Sequence, residues 1–200
     1  MVQLAAVTSV EGLESFVRSY VLHNLEWVEL PLLRLAYEAT RENDGDALER
    51  LDQVSLALRT PEELRQATTK TGRQRLELLS SVMDFDELYP DAWQSLIPRL
   101  RHTQITIVAG LEAFLNGVPV EAAMQAFGFT SISGVVSAAV KTQRLGQTAV
   151  QRILHQASLE LHALTERSLQ ISESEIGAFT PLLDIASARH KRAFCRLFLS

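Results

Sequence analysis

The stretch EGLESFVRSYV, Glu11–Val21, decides the fold. Its apolar residues Leu13, Phe16, Val17, Tyr20 and Val21 recur at i, i+3, i+4, i+7 and i+8, the stripe of a helix with one buried side. Thr8 and Glu11 have the spacing of a capping box ahead of it. Outward from this stretch the same period returns along most of the chain. Pro31 either kinks the first helix or opens a second, which carries Leu32, Leu33, Leu35, Ala36 and Tyr37. Asn43, Asp44 and Gly45 read as a turn, with Asp46 capping the next helix and Leu48, Leu51 and Leu58 on its buried side. Thr60, Pro61 and Glu63 read as cap, N1 proline and N3 carboxylate of a helix that reaches Val82. Residues 84–91 read as an acidic loop.

A further helix spans His102 to Asn116 and ends at Gly117; Pro119 starts the next, with Gly128 as its C-cap. Ser131, Ser133, Gly134, Ser137, Ala138 and Ala139 then favour close helix–helix approach. A long helix from Gly146 to Leu169 buries Ile153, Leu154, Ala157, Leu161 and Leu164, and Thr180 with Pro181 starts the last one. No segment alternates with period two. The expected fold class is all-α, a single-domain helical bundle of roughly eight to ten helices over residues 1–200.

Composition narrows the function classes. A chain of 200 residues, 46% apolar and 22% charged, is globular rather than disordered. At this length about 70% of the unfolded surface is buried on folding, so no disulfide or metal staple is required. Nine Gly and six Pro are too few for a turn-rich all-β protein. The single cysteine, Cys195, excludes an internal disulfide framework and fits a reducing compartment. No apolar run approaches the roughly 18 to 20 residues that span a bilayer, and the N-terminus has no basic leader. These features read as a soluble, cytoplasmic protein with no membrane association.

The net charge of −5 speaks against general nucleic-acid binding. Its distribution is sharper: residues 1–58 hold four Lys/Arg against ten Asp/Glu, whereas residues 185–200 hold four Lys/Arg and no acid. An acidic front with a basic tail fits a protein–protein surface better than a phosphate groove.

Catalytic and metal motifs are sparse. The stretch GQTAVQ from Gly146 lacks the second Gly and the Lys-Ser/Thr of a phosphate loop, and no G-x-S-x-G elbow occurs. His155 and His162 are seven residues apart, about 10 Å along a helix, too far to share one ion. His190 and Cys195 could share an ion only with a bent tail and ligands from a second chain; the other reading is structural or interfacial. Glu112 falls in the apolar stripe of Ile105, Val108 and Leu115, where it is an edge residue, the partner of a base such as Arg144, or a general acid. The stretch QATTKTGRQR, Gln66–Arg75, has no large apolar side chain. It reads as a protruding, solvated helix or as a basic contact face built from Lys70, Arg73 and Arg75.

The C-terminal run RAFCRLFLS places Phe194, Leu197, Phe198 and Leu199 among Arg192 and Arg196. So apolar a terminus must be covered, either by the body of the chain or by a partner. Residues 192–200 are therefore expected to be a docking tail.

Five segments together resemble one family. IASARHKRAFCRLFLS, Ile185–Ser200, is similar to the I-A-S-x-R-H and R-L-F-R-S ending of UreF urease accessory proteins. ELPLLRLAYEA (Glu29–Ala39) resembles the family's D-L-P-L-x-x-x-x-Y, and RTPEELR (Arg59–Arg65) its R-E-T-R-E-L-R. KTGR with Gly72 and AAVKTQRLGQTAVQ (Ala138–Gln151) follow in order, the latter matching a basic residue, an L-G-Q turn and a second Gln. The family's N-terminal L-P-x-G-x-(F/Y)-S run is absent, and Lys191, Phe194, Cys195 and Leu199 depart from the usual Glu, Tyr, Ser and Arg.

The resemblance implies an all-α adaptor without catalysis of its own, binding no cofactor, in a complex that handles nickel. It implies contacts with UreD (also called UreH), with the GTPase UreG and with the urease apoprotein, usually as a homodimer. It assigns Arg189, His190, Arg196, Leu197 and Phe198 to UreD docking. It assigns Lys141, Gly146, Gln147 and Gln151 to a dimer or GTPase face, with a bare turn as the other role for Gly146. Two other classes compete: a helical ligand-binding transcription regulator, opposed by the acidic N-terminal part, and a small helical enzyme using Glu112 and His155, for which no constellation assembles.

Overall fold

Ser9, not Thr8, caps the first helix: its Oγ accepts from the Gly12 N–H at 3.1 Å. The computed structural model describes residues 9–143 and 145–177, and among these every regular element is helical. The expected all-α bundle is what they form. Its α-helices are α1 Val10–Phe16, α2 Leu30–Arg41, α3 Gly45–Ala57, α4 Glu62–Met83, α5 Phe85–Leu88, α6 Pro90–Ser95, α7 Ile105–Leu115, α8 Val120–Gln143 and α9 Gln147–Ser168. The bundle groups into two compact units, one made of residues 9–31 and 124–177, the other of Leu32–Ala123.

In the first unit the chain stays helical between α1 and α2 through two π-helical stretches, Val17–Leu22 and Leu25–Glu29. Proline explains the second of them. Pro31 has no N–H for the Trp27 carbonyl, and the wide turn before it sends the Leu30 N–H to Leu25 O. The carbonyls of Glu26 and Trp27 are thereby released. Ser168 Oγ donates to the first at 3.0 Å and the Gly177 N–H to the second at 3.1 Å. Arg167 adds a two-pronged pair on the Glu26 carboxylate at 2.7 and 2.9 Å. Those hydrogen bonds hold the Arg167 guanidinium above its ordinary pKa. The helical path therefore continues through Pro31, and the freed carbonyls anchor the end of α9.

Helix α9 buries Ile153, Ala157, Leu161 and Leu164, as its stripe demands. Helix α8 buries Met124, Ile132, Val136 and Ala139. Gly128 lies on that same α8 face, and it is no C-cap: the helix runs on for another fifteen residues, because Pro119 supplies a start and nothing before Gln143 supplies a stop. A Cβ at Gly128 would stand 2.7 Å from Leu161 Cδ2, so the missing side chain is what lets the two helices close. Gly134, expected in the same role, faces open space. Within α8, Val120–Lys141 is long and apolar enough to cross a bilayer by length and composition. This corrects the expectation that no apolar stretch is long enough, because Glu121, Gln125 and the Gly, Ser and Thr residues break up the run without making the helix polar.

The second unit is built around α7, which buries Ile107, Val108 and Leu111 on successive sides and packs on α3 and α4. Gly110 allows α2 to approach, since a Cβ there would stand 2.4 Å from Leu33 O. Asp44, not Asp46, caps α3: its Oδ1 accepts the Ala47 N–H at 2.9 Å, after Asn43 turns in the left-handed region at φ 55°. Leu58 is 37% exposed rather than buried, because α3 ends at Ala57. Helix α4 starts at Glu62 without a side-chain cap, and the Thr60 carbonyl is held instead by Arg65 Nη1. The expected acidic loop is helical, as α5 and α6, because Phe85 is completely buried and Pro90 opens α6. Helix α7 starts at Ile105, three residues later than expected, since Thr103 takes φ 48° and Gln104 is extended.

Candidate partner-contact surfaces

The residues of the L-G-Q motif lie at the connection from α8 to α9. Lys141 is exposed in the last turn of α8. Gly146 is the N-cap of α9 at φ −63°, ψ 130°, a conformation open to any residue, and a Cβ there would meet nothing within 4 Å. Gln147 opens α9, and Gln151 follows one turn later on the same face, both exposed. The helix starts without a side-chain cap, so its first N–H groups stand uncapped beside these amides. One connection thus displays a cation, two amides and a bare backbone.

Arg189, His190, Arg196, Leu197 and Phe198 lie outside the described residues, as do His190 with Cys195, Arg144 and the Thr180-Pro181 start. His155 and His162 are both exposed. His162 Nε2 lies 3.4 Å from Glu166 Oε1, and Gln125 Nε2 lies 3.4 Å from its Nδ1, a surface network rather than a ligand set. Among the described residues no group of three or more His, Cys, Asp or Glu is placed to hold a metal ion.

Glu112 is paired, but with Arg75 and not with Arg144: Arg75 Nε donates to Oε2 at 2.8 Å and Nη2 to Oε1. These bonds raise the Arg75 pKa against the opposing effect of burial. The pair joins α4 to α7 and removes Arg75 from the proposed basic face, leaving Lys70 and Arg73 exposed there.

The stretch Gln66–Arg75 is not solvated on all sides. Thr68 Oγ1 donates to Gln104 Oε1 and Gln104 Nε2 to Thr69 Oγ1, each at 2.8 Å. Gly72 lies beneath the following backbone, where a Cβ would stand 1.7 Å from Thr103 O. Behind this seam the buried Asp52 accepts the N–H of His102 at 2.6 Å and of Gln104 at 2.8 Å. Burial pushes the Asp52 pKa up, and the two backbone donors only partly offset it. Arg59, 5% exposed, binds the carbonyl and hydroxyl of Ser55 and reaches Thr106 Oγ1 at 3.4 Å.

The motifs that carry the family resemblance therefore divide. Arg59, Arg65 and Gly72 serve the fold, whereas Lys141, Gln147 and Gln151 point outward. One set of exposed side chains went unread in the sequence: Leu78, Val82, Met83 and Leu88. Their signal was legible, because Leu78 and Val82 lie one turn apart, off the buried stripe of Leu76 and Leu79.

The described residues form an all-helical scaffold on which Lys141, Gly146, Gln147 and Gln151 are exposed. The comparisons give the family. The sequence model of the UreF family matches residues 7–158. The chain is 30% identical to the urease accessory protein UreF of Methylobacillus flagellatus, over its whole length and 93% of that relative. It is 32% identical to the UreF of Pseudomonas putida, over 96% of the chain and 84% of the relative, and 28% identical to that of Alcanivorax borkumensis, over the whole chain and 86% of the relative. The chain belongs to the UreF family of urease accessory proteins.

Proposed function

We propose that this chain is a non-catalytic, cytoplasmic adaptor in nickel-dependent urease maturation. It bridges UreD/UreH and the GTPase UreG, works as a homodimer in their complex, and modulates GTPase-coupled delivery of nickel to the urease apoprotein. The chain itself binds no cofactor in this reading; nickel is the cargo of the assembly. The observation that carries the proposal is the family match over residues 7–158, joined to whole-chain similarity with proteins named as urease accessory factors.

The geometry supports a division of labour. The α8–α9 connection offers Lys141, Gln147 and Gln151 to the dimer or GTPase partner. Nothing in the backbone at Gly146 calls for glycine, which favours a role in letting a partner approach over that of a bare turn. The tail, with Arg189, His190, Arg196, Leu197 and Phe198, is the UreD-docking element, its Arg residues giving two-pronged contacts at the rim of an apolar anchor.

The test is removal of residues 192–200, followed by capture with UreD. The shortened chain is expected to stay folded by circular dichroism and to lose UreD; retained binding rejects the docking role. Lys141→Glu is expected to reduce urease activation with the melting temperature unchanged, whereas parallel losses would make Lys141 structural.

A further inference from the structure

Residues 76–98 contain Glu77, Asp84, Asp86, Glu87 and Asp91 and no Lys, Arg or His. Within this run Leu78 is 48% exposed, Val82 67%, Met83 43% and Leu88 64%. The surface is held in place: Asp84 turns at φ 47°, its carbonyl accepts the N–H groups of Glu87 and Leu88, and Phe85 is fully buried beneath α5. Apolar side chains left bare in a run whose own charges are all acidic, with Arg75 just before it paired to Glu112, mark a contact site for an apolar segment of opposite charge.

The chain contains such a segment. Residues 189–200 carry Arg189, Lys191, Arg192 and Arg196, no acid, and Phe194, Leu197, Phe198 and Leu199. We propose that in the free protein residues 189–200 dock on this acidic, apolar surface of α4 and α5 of the same chain, and that UreD has to displace them. The inference rests on the tail being the UreD-docking element, and adds that its availability is regulated. A partner would see only the undocked fraction, and its apparent affinity would fall by that factor.

Cys195 is the chain's single cysteine and reports on the tail directly. Alkylation of the full-length protein by iodoacetamide is expected to be about tenfold slower than that of a synthetic peptide of residues 189–200, as a 90% docked tail requires. Two variants on exposed positions, Val82→Ser with Leu88→Ser and Glu77→Lys with Glu87→Lys, should each restore the peptide rate and strengthen UreD capture. A wild-type rate equal to that of the peptide overturns the proposal, as does protection that survives in both variants. Protection that grows with protein concentration overturns it too, assigning the surface to the tail of a second copy. The alkylation rate is read without UreD, so its outcome stands apart from the pull-down that tests the docking role itself.

Discussion

Helices α4 and α9 are both 22 residues long and are held by opposite means. Helix α9 follows the stripe Ile153, Ala157, Leu161, Leu164, each position removing apolar surface from water. The stretch Gln66–Arg75 of α4 has no large apolar residue to bury. Its hold comes from Thr68 and Thr69 gripping the Gln104 amide, from the Arg75–Glu112 pair and from Gly72 fitting under the Thr103 carbonyl. A helical stretch without a stripe is thus not necessarily a solvated one. Close backbone approach and satisfied hydrogen bonds replace the apolar face, at the price of tolerating no change in shape.

That contrast sets the order of expected effects. Gly72→Val should be the most damaging substitution, costing about 4 kcal/mol or more in urea denaturation, because the Thr103 backbone has no room to yield. Wild-type stability in that variant would dissolve the distinction between the two helices. Leu161→Ala should cost about 2–4 kcal/mol, the ordinary loss for an apolar core residue. In that background Gly128→Ala should be cheaper than in the wild type, since its obstacle is the Leu161 side chain; strict additivity would show that α8 and α9 do not close there.

Asp52→Asn should cost about 1–2 kcal/mol, because one amide oxygen cannot accept both backbone donors. The effect depends on pH in a defined direction. Burial raises the folded-state pKa of Asp52 above its ordinary 3.8, so its contribution is fully present below that value and declines as pH rises through the raised one. The advantage of wild type over Asp52→Asn should accordingly shrink from acid toward neutral pH; growth over that window would contradict the assigned cause. Gly146→Ala should be the mildest, within about 0.5 kcal/mol in thermal melts, since both backbone and space admit a methyl group. Partner binding, not stability, is where that substitution should register.

Much of this was legible in advance, for reasons the residues make plain. The stripes of α1 and α9 could be read because burying apolar area is a periodic demand, written every three or four positions. Glu112 could be recognised as a residue in need of a base, but Arg75 rather than Arg144 answers it, because spacing along the chain does not say which helices become neighbours. Gly128 and Gly72 looked like a helix end and a member of a solvated stretch. Their use is steric and exists only once a second element lies across them.

Apolar periodicity is a local property of the chain, and it was enough for the all-α class and the position of most helices; the family came separately, from the resemblance of five ordered segments. The tertiary structure alone decided which carbonyls Pro31 releases and what receives them, which glycines admit a neighbouring backbone, and which side chains of α4 face inward. Those outcomes depend on distances between segments remote in sequence, down to a few tenths of an ångström, and no local pattern encodes such distances.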